Sequence, residues 1–274
     1  MLCSPETFDM VTGAIVTKPA TLANSRLWEI DTVRGVAVLL MVYFHLMWNM
    51  QFFGLSNVDV FSVSWQRFAR GIGSTFMFLM GLSLTLTANR RPMSALSLFS
   101  QHIRRGLQLL IAAAIVTIVT YFTVGDSYVR FGILHLAGVS IILAYPFVRA
   151  HSSFSFISGL SLILLWYWFD HLHRIGVTTT WLLPFGLVPP SMNMVDYYPL
   201  IPWFGAVLMG IAAGQFLCPH GQRRVAFPDL GQPTPIRILR WLGRHSLAIY
   251  LLHQPLLIAM LGTYVYLSTG TLPQ

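Results

Sequence analysis

Seven long apolar runs, each free of Asp, Glu, Lys and Arg, constrain the fold of this chain more than any other feature. A helix needs about 20 apolar residues to cross the hydrocarbon core of a bilayer. Only 9% of the 274 residues are charged, whereas soluble domains carry roughly 25%. We therefore predict an all-α polytopic membrane helix bundle with about seven transmembrane helices. The predicted spans are residues 35–53, 71–88, 106–124, 131–148, 154–169, 199–217 and 245–267.

The basic residues between these spans predict the orientation of the chain. Thirteen of the 17 Lys and Arg residues precede the first span or follow an even-numbered one, and four lie in the other connections. Because positive charge accumulates in cytoplasmic loops, the N-terminus is predicted inside and the C-terminus outside. Residues 1–25 would then form a cytoplasmic tail, and residues 26–274 a single transmembrane domain. On this basis the net charge of +8 indicates topology and an anionic ligand, and no nucleic-acid partner is expected.

The nine acidic residues all lie outside the predicted spans. Proton- and ion-coupled transporters usually need a carboxylate within the membrane, and many contain inverted repeats, which this sequence does not show. Both observations count against a transporter of a small molecule or a lipid-linked sugar, which stays the alternative function. A structural membrane protein is a third hypothesis, and histidines inside the spans argue against it.

Three histidines, His45, His135 and His253, lie inside predicted spans, where an ionisable residue indicates function by default. At a rise of about 1.5 Å per residue, His45 lies about 16 Å from Arg34 and His253 about 14 Å from Arg244, so both are near the bilayer midplane. His135 lies nearer the outer face. For each of the three, a hydrogen bond that bridges two helices is the structural alternative.

A polar stripe runs along one face of the first predicted helix. Asp31 and Arg34 are three residues apart, so they share a face and can pair. His45 follows Arg34 by eleven residues, close to three helical turns, and Asn49 lies one turn further on, within reach of the His45 ring. Simple anchoring in the membrane would explain the arginine but not the histidine.

The segment between the fifth and sixth spans, residues 170–198, is predicted to be an outer loop packed at the membrane interface, where Trp and Tyr are enriched. We interpret it either as a lid or as a wall of an acceptor-sugar site. Its Asp170-His171-Leu172-His173 stretch resembles a metal-ligand spacing. No HExxH or CxxC partner accompanies that stretch, so no metal site is predicted.

Four stretches of the sequence resemble a known family of enzymes. Residues 30–45 read Ile-Asp-Thr-Val-Arg-Gly-Val-Ala-Val-Leu-Leu-Met-Val-Tyr-Phe-His, and residues 130–135 read Arg-Phe-Gly-Ile-Leu-His. Residues 196–205 read Asp-Tyr-Tyr-Pro-Leu-Ile-Pro-Trp-Phe-Gly, and residues 243–255 read Gly-Arg-His-Ser-Leu-Ala-Ile-Tyr-Leu-Leu-His-Gln-Pro. These stretches are similar to the membrane acyltransferases, above all to the bacterial DUF1624 family and the related catalytic domain of heparan-α-glucosaminide N-acetyltransferase.

The resemblance implies an integral membrane acyltransferase of the bacterial inner membrane. Such an enzyme moves an acyl group, usually acetyl, from cytoplasmic acyl-CoA to an amine or hydroxyl of a glycan or amino sugar outside the cytoplasm. The implied partners are acetyl-CoA as the acyl-donor substrate, that acceptor and the lipid bilayer. No metal is expected, and whether the chain forms a homo-oligomer is left open.

The resemblance also implies roles for individual residues. His45 matches the first-helix histidine of the family and is the expected nucleophile or general base. Asn49 can orient its ring, and His253 is the first alternative catalytic histidine. The residues expected to bind the acceptor are His135, Asp196 and Trp203.

Arginines on the predicted cytoplasmic side are candidate ligands of the donor. Guanidinium groups bind phosphates through charge-assisted hydrogen bonds, which the phosphates of acetyl-CoA require. The candidates are Arg34, Arg104 and Arg105, followed by Arg240 and Arg244.

Overall fold

A computed structural model of the protein describes residues 27–90, 93–172, 180–189, 192–219 and 233–271. The predicted N-terminal tail, residues 1–25, lies outside these ranges. The regular elements within them are all helical, and the only β-type pairing there is an isolated bridge between Phe131 and Tyr197. The helices are α1 (Trp28–Phe52), α2 (Val63–Arg90), α3 (Ala95–Val124), α4 (Ile133–Leu143), α5 (Tyr145–Arg149), α6 (Ser152–Leu172), α7 (Leu200–Leu217), α8 (Thr234–Arg244) and α9 (Ser246–Thr269), with short 3₁₀ helices at Gly125–Ser127 and Thr180–Phe185.

Within the described ranges, five helices are long and apolar enough to cross a membrane, namely α1, α2, α3, α7 and α9. They correspond to the first, second, third, sixth and seventh predicted spans. The fourth and fifth predicted spans correspond to shorter apolar helices, Ile133–Leu143 and Ser152–Trp168. The predicted membrane helix bundle is therefore confirmed, whereas the count of seven spans and the orientation stay predictions.

The fourth predicted span, residues 131–148, is divided between two helices. α4 ends at Leu143 and α5 begins at Tyr145, with Pro146 in the first turn of α5. Proline has no amide hydrogen, and its ring clashes with the carbonyl four residues earlier, so a helix starts at a proline more readily than it continues through one. Hydropathy alone does not predict this break between α4 and α5, because the residues on both sides of it are apolar.

The sequence did not predict α8, which lies in the connection between the sixth and seventh spans. With 11 residues it is too short to cross a bilayer. It packs so closely on the first half of α1 that a Cβ at Gly243 would overlap the Asp31 carbonyl, and one at Gly35 would overlap the Leu239 carbonyl. Small residues permit this contact between two helix backbones.

The other half of the bundle is organised around α7. This helix packs chiefly against α2 and α6, and its Val207, Leu208 and Ile211 are fully buried. α3 packs on α4 and presents apolar side chains such as Ile111 and Ile115 outward. An exposed apolar surface of this kind is expected for a helix whose solvent is lipid. α1 joins the two halves, because it contacts α2 on one side and α8 and α9 on the other.

Candidate active site

The contact between α1 and α9 brings together the two histidines that the sequence placed at similar depth. The ring centroids of His45 and His253 lie 4.7 Å apart, with the ring planes inclined at 69°. His45 is half-buried, whereas His253 is only 8% exposed. The two imidazoles therefore form one pair in an apolar part of the bundle, although more than 200 residues separate them in the sequence.

Both rings are held by the backbone of their own helix through Nδ1. His45 Nδ1 lies 2.9 Å from the Met41 carbonyl, and His253 Nδ1 lies 2.7 Å from that of Tyr250 and 3.1 Å from that of Ile249. A carbonyl oxygen only accepts, so Nδ1 donates and, in the neutral ring, Nε2 carries the lone pair. The Nε2 atom of His253 is buried, and no described residue hydrogen-bonds to it.

A pair of side-chain amides lies beside the histidines. Asn49 Nδ2 donates to Gln254 Oε1 at 3.3 Å, and Gln254 Nε2 donates to Asn49 Oδ1 at 3.2 Å. Asn49 is fully buried. The sequence placed Asn49 within reach of the His45 ring, but its amide is directed to α9 instead. Sequence reasoning missed Gln254, although an amide beside a mid-membrane histidine is itself a polar group that needs a partner.

At the start of α1, the carboxylate of Asp31 organises two of the predicted donor-binding arginines. Asp31 is 2% exposed. Its Oδ1 lies 3.4 Å from Arg34 Nη1, and its Oδ2 lies 3.3 Å from Arg244 Nε. Arg34 also donates to Ser83 of α2 at 2.7 Å. The predicted pairing of Asp31 with Arg34 is present, and Arg244 joins it from α8. Two guanidinium groups therefore share one carboxylate at this end of α1, and Glu29 lies in the same helical turn.

Two of the other donor-binding candidates lie on a helix that does not contribute to this cluster. Arg104 and Arg105 are exposed on α3, which packs mainly on α4, and neither forms an ion pair with a described residue. Arg240 is half-buried on α8, the helix that packs on α1.

His135 and Asp196, two of the predicted acceptor-binding residues, meet at the first turn of α4. The backbone N–H of Gly132 donates to His135 Nδ1 at 3.3 Å, and that of Ile133 donates to Asp196 Oδ2 at 3.1 Å. Both contacts satisfy amide groups that a helix N-terminus leaves without internal partners. A carboxylate is also stabilised by the dipole at that end of the helix. These two side chains thus have a local structural role.

Asp196 belongs to a small cluster of polar and aromatic groups just before α7. Burial raises the pKa of its carboxyl to about 6, and the hydrogen bond from Ile133 opposes that rise. Burial also raises the pKa of the Tyr198 hydroxyl, with a further contribution from Asp196, whereas Arg70 lowers it. The third acceptor candidate, Trp203, packs on Tyr198 with ring centroids 4.7 Å apart.

Tyr250 of α9 connects this cluster with the histidine pair. It lies close enough to Asp196 and Tyr198 to interact with both electrostatically, and its ring centroid is 5.8 Å from that of His253. The sequence offered no signal for this connection, because Tyr250 and Tyr198 are unremarkable aromatic residues at or near the ends of apolar runs.

The Asp170-His171-Leu172-His173 stretch, considered above for its metal-ligand spacing, falls at and beyond the end of α6, and its side chains lie outside the described part of the structure. Among the described side chains, no group of three or more His, Cys, Asp or Glu is placed to hold a metal ion.

The site thus combines cations at one end of α1, two imidazoles further along, and a carboxyl with phenols beyond them. These groups can respectively bind phosphates, attack or deprotonate, and bind an amine or hydroxyl. No curated protein and no solved structure matches the chain. A family model described as heparan-alpha-glucosaminide N-acetyltransferase, catalytic, matches residues 26–255, a range that contains the histidine pair and Gln254. The match confirms the resemblance drawn from the sequence motifs, and the chain belongs to the heparan-α-glucosaminide N-acetyltransferase catalytic family of membrane acetyltransferases.

Proposed function

We propose that the protein is an acyl-CoA-dependent transmembrane acyltransferase of the bacterial inner membrane. It moves an acetyl group from cytoplasmic acetyl-CoA to an amine or hydroxyl of a glycan or amino sugar outside the cytoplasm. The observation that carries this proposal is the pair of imidazoles, His45 and His253, at 4.7 Å within the bundle. Membership of an acetyltransferase family supports the class of reaction.

The donor binds at the end of α1 that carries Asp31. Arg34 and Arg244 hold phosphates of acetyl-CoA there, because guanidinium groups form charge-assisted hydrogen bonds with phosphate oxygens. Arg240 contributes from α8, whereas Arg104 and Arg105 lie on α3, outside this cluster, and attract the anionic donor through their exposed charge. The long pantetheine arm then extends between the helices toward His45, which lies about three turns along α1 from Arg34.

His45 is the side chain that reacts at the thioester of acetyl-CoA. Its Nδ1 is held by the Met41 carbonyl, so its Nε2 lone pair is available at the end of the ring that faces away from the α1 backbone. This nitrogen either takes the acetyl group itself or removes a proton from the acceptor. Asn49 keeps α1 against α9 through Gln254, which maintains the position of the ring.

The acceptor approaches from the side of Asp196. This carboxyl, with Tyr198 and Trp203 beside it, offers the polar and aromatic surface that a sugar amine or hydroxyl needs. His135 borders the same place from α4.

The decisive experiment measures transfer from radiolabelled acetyl-CoA to hexosamine acceptors by the purified protein in lipid nanodiscs. We expect transfer by the wild-type protein and none by His45→Ala. The variant should still express, fold and bind acetyl-CoA, because the Asp31 cluster is intact. Full activity in folded His45→Ala would contradict the proposed chemistry, and loss of folding together with activity would indicate a structural role for this histidine.

A further inference from the structure

We infer that His253 accepts the proton of the acceptor, as the partner of His45, which the family resemblance makes the expected nucleophile. This inference rests on the proposed acetyl transfer by His45 and assigns the general base of the second step. Ring centroids at 4.7 Å allow a single acceptor atom to contact an acetyl group on one ring and the lone pair of the other.

His45 is assigned to the donor half of the reaction by its position. It shares α1 with Arg34, a member of the proposed donor-binding cluster. The hydrogen bond from Nδ1 to the Met41 carbonyl keeps the proton on that nitrogen while Nε2 reacts. Acetylation at Nε2 therefore gives a positively charged N-acetylimidazolium, from which a neutral imidazole can later depart.

His253 is assigned to the acceptor half. Its Nδ1 is held by two carbonyls, which fixes the ring, and its buried Nε2 has no hydrogen-bond partner among the described residues. The ring of Tyr250 lies beside that of His253, with the ring centroids 5.8 Å apart. The N–H or O–H of an acceptor is the donor that the Nε2 lone pair of His253 lacks.

The reaction has two steps, in which atoms and charges balance. In the first, His45 Nε2 forms a bond to the acetyl carbonyl carbon, the carbon–sulfur bond breaks, and CoA leaves as a thiolate. In the second, the acceptor nitrogen or oxygen bonds to the same carbon while its proton passes to His253 Nε2. The bond from carbon to His45 then breaks and returns its electron pair to the ring. The released thiolate takes a proton from water, and the His253 imidazolium finally returns one to water, so acetyl-CoA and acceptor become acetylated acceptor and CoA thiol.

Within the described part of the structure, His102 resembles His253 in its burial and in its unpaired Nε2, but no second histidine lies beside it. It is 2% exposed, its Nδ1 lies 2.8 Å from the Leu98 carbonyl, and its Nε2 also has no partner among the described residues. Its ring faces Tyr145 instead of a second histidine. The proximity of His253 to His45 is therefore the distinguishing feature, and His102 provides a matched control.

The test separates the two half-reactions. Protein is mixed with acetyl-CoA in the absence of acceptor, and the release of CoA thiol and the mass of the protein are followed; a hexosamine acceptor is then added. His253→Asn retains a side-chain N–H near the position of Nδ1 but has no group at Nε2. We expect this variant to acquire an acetyl group as the wild type does, but to lose it to the acceptor at least about 100-fold more slowly, as for other general bases. His45→Asn should acquire none.

Three further measurements complete the design. Imidazole should restore acceptor-dependent deacetylation in His253→Ala, which a purely structural defect would not allow. His102→Ala should show wild-type rates in both half-reactions. Acetyl-CoA binding and thermal unfolding of each variant identify any that fail to fold.

Two outcomes would overturn the assignment. One is acceptor-dependent deacetylation at the wild-type rate in folded His253→Asn or His253→Ala. The other is steady-state transfer by a wild-type protein that never carries an acetyl group, which would indicate direct transfer and leave the proposed function intact. Absence of any transfer from acetyl-CoA would instead contradict the proposed function itself.

Discussion

At the scale of single residues, a pair of buried amides holds the centre of the candidate site in place. Asn49 and Gln254 exchange two hydrogen bonds between α1 and α9, one turn from His45 and directly beside His253. A buried amide that loses its partner costs about 1–3 kcal/mol, because it cannot recover hydrogen bonds from water. The position of the two imidazoles therefore depends on a contact that neither imidazole makes.

Gln254→Ala is expected to lower the free energy of unfolding by about 1–3 kcal/mol, because the amide of Asn49 loses both hydrogen bonds. It should also slow acetyl transfer, since the rings lose their fixed separation. In a double-mutant cycle, adding Asn49→Ala should cost little more than either single change. Unfolding in detergent and turnover at saturating acetyl-CoA measure both effects. Gln108→Ala, at an exposed position on α3, is the control, and additive losses in the cycle would contradict the amide pairing.

The raised pKa of Asp196 predicts that stability and acceptor binding both depend on pH. Burial raises the pKa of its carboxyl from 3.8 to about 6. The folded protein therefore keeps a proton that the unfolded chain has lost, so this group stabilises the fold below about pH 4 and the stabilisation disappears as the pH rises to about 6. Above that pH the carboxylate attracts an ammonium group.

We expect the KM for an amino-sugar acceptor to fall as the pH rises through about 6. Asp196→Asn should abolish this step in the pH dependence of KM, because the amide carries no charge at any pH. An acceptor with only hydroxyl groups should show no such step. Initial rates at varied acceptor concentration and pH provide the measurement. A step of equal size in Asp196→Asn would assign the titration to another group.

At the scale of helices, the end of the site that carries Asp31 is a junction of three elements around one buried carboxylate. Asp31 on α1 pairs with Arg34 of the same helix and with Arg244 of α8, and Arg34 reaches Ser83 on α2. A buried carboxylate is costly unless it is paired, so these contacts hold the three helices together. The exposed arginines on α3 make no such contact, and their charge is available to a ligand.

Replacing Arg104 and Arg105 together by Gln is therefore expected to weaken acetyl-CoA binding while the protein stays folded in detergent. Calorimetric titration with acetyl-CoA measures the dissociation constant. Arg149→Gln, at another exposed arginine of the same predicted side, is the matched control and should leave the constant unchanged. If the double variant also bound with wild-type affinity, the two arginines would serve only to orient the chain in the membrane.

At the scale of the whole molecule, the proposed reaction requires that the two ends of the site face opposite sides of the membrane. The bias of basic residues predicts a cytoplasmic N-terminus and, with an odd number of spans, an external C-terminus. The five long helices alone would also give an odd number, and the shorter α4 and α6 decide whether the total is seven.

Reporter fusions test this orientation directly. A periplasm-dependent reporter joined after residue 274 should be active, and the same reporter inserted in the 219–235 connection should be inactive, because the predicted topology places these positions on opposite sides. A cytoplasm-dependent reporter at both positions is the control and should give the inverse result. A cytoplasmic C-terminus would overturn the odd span count and the two-sided mechanism that depends on it.

Features that depend on local chemistry could be predicted from the sequence. Hydropathy indicated the membrane helices, because each apolar run must meet the bilayer wherever its neighbours lie. The rise of a helix placed His45 and His253 at similar depth, and the spacing of Asp31 and Arg34 allowed them to pair. The motifs also indicated the family, which the match over residues 26–255 confirmed.

Features that depend on how distant helices dock were decided only by the tertiary structure. Gln254 meets Asn49 across 205 positions and Arg244 meets Asp31 across 213, and no property of either local sequence selects these partners. The contact of Asp196 with the first turn of α4 and the packing of α8 on α1 are also decided by tertiary structure. Each depends on which surfaces come within hydrogen-bond or van der Waals distance. The sequence determined which polar groups lie within the membrane, and the packing of helices determined which of them act together.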